Sequence, residues 1–183
     1  MIITPTPIDA VRIVQPRRIG DARGFFEETW RADAFAAAGI DVTFVQDNQS
    51  FSAKEGTVRG LHFQLPPFAQ AKLVRVVSGA ILDVAVDLRR GSPTFGRHVA
   101  VRLDAENGTQ LFVPVGFAHG FCTLLENTAV SYKVSSVYSR EHDRGMRWND
   151  PALAIDWPVR EDQAQLSDKD RIAPVFAELS ELF

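Results

Sequence analysis

A single cysteine, Cys122, occurs among the 183 residues, so no disulfide can staple the chain internally. That suits a compartment in which thiols stay reduced, and the cytoplasm is expected. Nowhere do apolar residues run unbroken for roughly 18 positions, the length of a membrane-crossing helix, so no membrane association is expected. The stretch from Met1 to Arg18 has early prolines and places its charges after its apolar residues, the reverse of a secretory leader. Excess positive charge is also missing. The formal net charge of -3 argues against a nucleic-acid partner, while leaving room for a local basic pocket. The chain lacks a glycine-rich dinucleotide fingerprint, a low-complexity tract, a linker and a fixed-period repeat. One domain over residues 1–183 is expected.

What is present is a run of short β-type segments: Val42 to Val45, Leu73 to Val77, Ile81 to Leu88, His98 to Leu103, Gln110 to Val113, Gly120 to Leu124 and Ala129 to Val137. Each is rich in Val, Ile, Leu or Phe and bounded by Gly, Pro, Asn or Asp. Such spacing predicts an all-β sandwich or barrel. Only two segments carry a helical pattern. Arg31 to Ala38 is alanine-rich and stops at Gly39, and Pro174 to Phe183 has apolar residues at 175, 176, 179 and 182.

Of four histidines, His98 and His142 read as ordinary hydrogen-bonded residues. His62 and His119 stand in more unusual settings, flanked by glycine and apolar residues. The segment Gly108 to His119 has the order Gly, five residues, Pro114, one residue, Gly116, two residues, His119. This order matches the second cupin motif, which builds a strand, a tight turn and a second strand carrying an inward histidine. Both histidines would then face one barrel mouth. The first cupin metal motif needs two histidines one residue apart followed by a glutamate. Here Gln64 holds the partner position and no carboxylate follows in Leu65 to Phe68, so neither a metal nor a cofactor is expected. A metal-free histidine with an ordinary pKa near 6.5 can serve as a base at neutral pH.

Charged groups gather near these histidines. Arg59 lies three positions before His62, and Lys72 opens a strand in which it shares a face with Val74. A lysine there either sits in solvent or joins Arg59 as a cation suited to a pyrophosphate or a developing enolate. Tyr132 shares its strand face with Val130 and Val134, and reads either as a packed core phenol or as an inward acid.

Several stretches together resemble the dTDP-4-dehydrorhamnose 3,5-epimerases, from about Asp21 to Asp170. They are Arg59-Gly-Leu-His62-Phe-Gln64, Gln70-Ala-Lys72, Gly79 through Arg89, Ser92-Pro-Thr-Phe-Gly96 and Pro114-Val-Gly-Phe-Ala-His119. Tyr132-Lys133, Tyr138-Ser139, Trp148-Asn-Asp-Pro151 and Leu166-Ser-Asp-Lys169-Asp170 complete the series. The resemblance implies a homodimeric cupin jelly-roll barrel with a few short peripheral helices, acting on dTDP-4-dehydro-6-deoxy-D-glucose. Within it His62 would be the general base, Asp170 its orienting carboxylate, Tyr132 the opposing acid and Lys72 the group stabilising the enolate. Arg59 and His119 would hold substrate near the reacting ring, and Gln46 and Asn48 would contact the nucleotide. Tyr138, Asp143 and Lys169 match further binding positions. Asp143 departs from the family pattern if glutamate is preferred there. Arg23 and Glu28 would reach the partner subunit's nucleotide.

Three other readings use the same residues. They are a single-centre epimerase or 3,4-ketoisomerase on a related sugar nucleotide, a non-catalytic sugar-binding cupin, and a metal-dependent cupin, which Gln64 disfavours. The pair His62 and Tyr132 argues for epimerisation and leaves one centre against two open.

Overall fold

A computed structural model describes residues 1–183. In chain order the elements are β1 (Ile2–Pro5), β2 (Arg12–Gln15), β3 (Arg18–Asp21), β4 (Gly24–Glu27), α1 (Ala32–Ala37), β5 (Gln46–Ser52), β6 (Val58–Gln64) and β7 (Lys72–Ser78). They continue with β8 (Ala80–Asp87), β9 (His98–Asp104), β10 (Gln110–Val113), β11 (Phe117–Thr123), β12 (Thr128–Val134), β13 (Asp143–Gly145) and α2 (Asp168–Arg171). A 3-10 turn spans Phe176–Glu178.

All the strand pairs are antiparallel. One sheet has the order β1-β2-β10-β7-β12-β5, the other β13-β6-β11-β8-β9, and β3 and β4 form a separate hairpin. Side chains alternate across a strand, so one face of each sheet supplies the core between them. Val74 and Val76 of β7 and Val130 of β12 meet Ile81 and Ala85 of β8 and Phe117 and Phe121 of β11 there. This is the jelly roll that the cupin motif implied.

The opposite faces are also covered. Outside the five-stranded sheet, Val84 and Val86 pack with Leu61, Phe63 and the C-terminal Phe176, Leu179, Leu182 and Phe183. Outside the other sheet, Phe35 of α1 joins Leu73 and Phe112, with Trp30, Val42 and Phe44 against them. The ring of Phe35 meets Phe44 and Phe112 edge-on, at 6.5 Å and 6.1 Å between centroids, a geometry the aromatic quadrupole favours. No helix is long and apolar enough to cross a membrane.

Two sequence expectations fail. The stretch from Val42 to Val45 is not a strand. Val42 and Phe44 instead plug the apolar outer face, and β5 begins one residue later, at Gln46, where QDNQSFS carries almost no apolar signal. The tail from Pro174 forms only the short 3-10 turn. Ten residues are few for an independent helix, and the extended tail gains backbone pairing instead, with Arg90 N–H donating to Phe183 O at 2.9 Å. Helix α1 falls within the expected segment, and Gly39 follows with φ +76°, the left-handed position that closes a helix.

Glycine matters where β6 and β11 approach most closely. A Cβ on Gly60 would lie 2.5 Å from Gly120 Cα, and one on Gly120 would lie 2.6 Å from Arg59 O. Neither clash is compatible with a side chain. These two glycines let the strands carrying Arg59, His62 and His119 close to one another.

Candidate active site

At one end of the sandwich the inward positions change from apolar to chemical. On β7 the face that carries Val74 and Val76 ends in Lys72. On β11 His119 stands between Phe117 and Phe121, and on β12 Tyr132 follows Val130. On β6, Leu61 and Phe63 turn to the outer cluster, which leaves His62 on the cavity side. His62 and His119 are direct cross-strand partners. The apolar alternation that builds the core therefore also aims these four side chains at one space.

That space consists of two adjoining cavities of about 430 Å³ each. Arg59, His119, Phe121 and Asp170 line the first. Gln46, Asn48, Gln70, Tyr138, Asp143 and Lys169 line the second. His62, Lys72 and Tyr132 border both. All the expected site residues thus converge except Arg23 and Glu28. Those two lie outside both cavities, where Arg23 pairs with Asp21 at 2.5 Å and Glu28 lies 3.5 Å from Arg31.

His62 Nε2 lies 2.6 Å from Asp170 Oδ1. A carboxylate accepts, so Nε2 donates and Nδ1 retains its lone pair. Asp170 is presented by α2, whose N-cap Ser167 accepts a hydrogen bond from the Asp170 amide through its side chain. Burial acts to raise the Asp170 pKa, but the hydrogen bonds from His62, Ser167 and the Gly60 backbone, with the electrostatic pull of the imidazole, together outweigh it and hold the carboxyl below its ordinary value. Asp170 stays ionised beside the imidazole.

Lys72 is buried, and desolvation lowers its pKa to about 8, with Asp83 and Asp143 opposing the fall. It remains largely cationic at neutral pH. Tyr132 moves the other way. Burial raises its pKa, against a smaller opposite pull from Arg59, and the phenol keeps its proton. Arg59 itself is anchored to β5 by a 2.9 Å bond to Phe51 O and a 3.2 Å bond to Ser52 Oγ. In the second cavity Gln46 Nε2 donates to Asn48 Oδ1 at 2.7 Å, Tyr138 Oη donates to Asp143 at 3.2 Å, and Lys169 pairs with the same Asp143.

Gln64, at the position where a metal-binding cupin needs histidine, makes three bonds to backbone. Its Nε2 donates to Phe68 O and Val137 O, and its Oε1 accepts from Ser139 N–H. It clamps the loops around the second cavity. No group of three or more His, Cys, Asp or Glu side chains is arranged so that it could hold a metal ion. His98 and His142 lie away from both cavities, and His142 bonds Ser139 Oγ at 2.8 Å.

Sequence reasoning gave no role to Asp83, which is fully buried and bonds His119 Nε2 at 2.8 Å. A signal for it existed. In the strand ILDVAVDL, Asp83 falls on the same face as Ile81 and Ala85, the face that enters the core. A carboxylate at such a position calls for a buried partner.

A jelly roll with a carboxylate-paired histidine, a protonated phenol and a buried ammonium around one cavity defines a cupin enzyme of the proton-transfer class. The comparisons narrow this. The sequence pattern of dTDP-4-dehydrorhamnose 3,5-epimerase matches residues 5–178, and the chain belongs to that family. A dTDP-4-dehydrorhamnose 3,5-epimerase of Sinorhizobium fredii is 55% identical over 172 residues, covering 94% of this chain and 88% of the relative. The crystal structure of the Bacillus anthracis epimerase with TDP and pyrophosphate bound superposes with a TM-score of 0.92 at 51% identity, covering 95% of this chain and 98% of that one. The Legionella pneumophila epimerase in complex with dTDP-4-keto-L-rhamnose also gives 0.92, at 45% identity over 97% and 94% of the two chains. A 3'-monoepimerase from Streptomyces bikiniensis, solved as a histidine and tyrosine double mutant with dTDP, gives 0.87 at 36% identity over 94% and 86%. The two mutated residues are separated in its sequence by the same interval as His62 and Tyr132 here.

Proposed function

We propose that this chain inverts C3 and C5 of dTDP-4-dehydro-6-deoxy-D-glucose, giving dTDP-4-dehydro-L-rhamnose for dTDP-L-rhamnose formation. The observation that carries the reading is the pair His62–Asp170 at 2.6 Å, bordering the same cavities as Tyr132 and Lys72. The C4 ketone acidifies the hydrogens on C3 and C5. His62 Nδ1 takes one of them, and Asp170 stabilises the imidazolium that forms. Charge moves to the C4 oxygen, where the Lys72 ammonium meets it. Tyr132 returns a proton from the other face of the carbon, and the centre inverts. His62 then releases its proton to solvent and Tyr132 regains one from it, and the same steps at the second carbon complete the reaction, with no change of oxidation state.

The second cavity suits the nucleotide, with Tyr138 offering a ring and Gln46, Asn48, Asp143 and Lys169 offering polar contacts. Arg59 and His119 hold the sugar end. The protein works as one domain in the cytoplasm and without a metal, since Gln64 is committed to backbone bonds and chelation should leave turnover unchanged. It works as a homodimer. Phe25 and Phe26 on the β3–β4 hairpin are 58% and 66% exposed, an apolar surface flanked by Arg23 and Glu28 that fits against a second copy and brings both charges to its nucleotide. Sedimentation giving a clean monomer at micromolar concentration would contradict this.

A single-centre epimerase is the competing reading, favoured by the likeness to the monoepimerase. The identity to the 3,5-epimerases is higher, 55% and 51% against 36%, and supports two centres. The catalytic assignment is tested with His62→Ala and substrate in D₂O. Loss of deuterium uptake at both carbons is expected, and normal uptake would overturn the assignment.

A further inference from the structure

The cavity that holds His62–Asp170 is also lined by a second histidine, His119, with its own carboxylate buried behind it. His119 is the cross-strand partner of His62, and its Nε2 lies 2.8 Å from Asp83 Oδ1. Asp83 projects from β8 with no exposed surface. Its other oxygen, Oδ2, is buried without a hydrogen-bond partner. A buried carboxylate left half unpaired is costly, and its neighbours on the same face of β8, Ile81 and Ala85, belong to the apolar core. Nearby, the Lys72 ammonium makes only a long 3.4 Å bond to His62 O. A buried anion thus stands behind one wall of the cavity, bonded to His119, and an incompletely bonded cation, Lys72, lines the same cavity.

We propose that Asp83 is a positioning residue with two effects: it holds His119 in the Nε2–H tautomer, and from behind that ring it supplies a buried counter-charge to the Lys72 ammonium lining the same cavity. The first effect decides what His119 can do. With Nε2 donating to the carboxylate, Nδ1 of the neutral ring keeps a lone pair, and it has no partner within the chain. His119 thus offers the cavity an acceptor, suited to a sugar hydroxyl and unsuited to an enolate oxygen. Stabilising the enolate is then left to cations, which gives the second effect its weight. Burial depresses Lys72 to about 8, and Asp83 is the foremost charge resisting that fall. The other titratable groups around Lys72 are Arg59, His62, His119, Tyr132, Tyr138, Asp143, Lys169 and Asp170, and none of them shares Asp83's isolation from solvent in the core. The catalytic consequence rests on the enolate role proposed for Lys72, whereas the tautomer and the lysine titration are properties of the free protein.

The experiment labels histidine with ¹⁵N and lysine with ¹³Cε and follows both by NMR in the parent and in Asp83→Asn. In the parent, neutral His119 should be the Nε2–H tautomer and Lys72 should titrate near 8. In Asp83→Asn, the Lys72 titration should fall by about one to three pH units, the scale of a close opposite charge. The alkaline limb of kcat/KM should move down with it, which a loss of structure alone would not produce. An Nδ1–H tautomer in the parent overturns the inference, and this reading stands even if the variant does not fold. An unmoved Lys72 titration in folded Asp83→Asn overturns it equally. Turnover retained in Lys72→Met would instead sink the enolate role, leaving the assignment of Asp83 to the two NMR readings.

Discussion

Replacing Asp170 by Asn removes the charge beside His62 and little else. The amide keeps the shape of the carboxyl and an oxygen able to accept from Nε2–H. In the parent, that oxygen lies 2.6 Å from the ring, with the Asp170 side chain 4% exposed and His62 33% exposed. A charge pair about 4 Å apart at an effective dielectric of about 20 is worth about 4 kcal/mol. The open side of His62 admits solvent, which reduces this to about 2–3 kcal/mol. The imidazolium exists only after proton removal, so the loss falls on the reaction step. At about 1.36 kcal/mol per tenfold, kcat should drop about 30- to 160-fold. KM should change little, because Asp170 acts through His62. Asp170→Ala also loses the orienting bond and should drop further, within the ~10²- to 10⁴-fold range of general-base catalysis. The assay is the initial rate of deuterium uptake at C3 and C5 in D₂O. An Asp170→Asn rate within threefold of the parent would refute the reasoning.

Tyr132→Phe should separate exchange from inversion, because His62 can still ionise the substrate and reprotonate it on the original face. NMR should find deuterium uptake surviving at one or both carbons while inverted product falls strongly, and parental inversion would make Tyr132 core packing. The parent's kcat/KM should decline as pH rises through about 8, where Lys72 loses its proton, and Lys72→Met should abolish that dependence along with most of the rate. Asp87 is buried and bonded by Arg89, Ser92 and Thr94, which hold its carboxyl well below the usual range against the opposing effect of burial. Its folded-state pKa is depressed, so its contribution is complete above the unfolded value near 3.9 and is lost as pH falls below it. Asp87→Ala should therefore cost about 2–3 kcal/mol at pH 7 in denaturant melts, with the gap to the parent narrowing in acid.

Much of the architecture was legible because period-two alternation is written plainly in β7 to β12. Tyr132 could be placed on an inward face from Val130 and Val134, Lys72 shared a face with Val74 but its position at the strand start left solvent open, and the spacing of Pro114, Gly116 and His119 located the turn that delivers His119. The strand β5 was hidden because its residues are nearly all polar. Its place in the sheet comes from full pairing with β12, from Gln46 opposite Val134 to Ser52 opposite Thr128, a long-range match that local sequence does not display. The tail was misread for the complementary reason. Its apolar spacing fits a helix, but its side chains reach the outer cluster of the five-stranded sheet from an extended path. Within the site, His62 with Asp170 required a contact 108 residues apart, which the family resemblance supplied and spacing could not. Asp83 was visible as a charged residue in an apolar strand, but its partner on β11 became apparent only with the sheet assembled.

The most direct test of the central claim is NMR of the purified protein turning over dTDP-4-dehydro-6-deoxy-D-glucose in D₂O, with label and configuration followed at each ring carbon. Proton removal and return at two centres predicts deuterium at both C3 and C5 in a product inverted at both. Inversion at a single carbon would contradict the two-centre assignment, and inversion without solvent label would contradict the proton-transfer mechanism itself.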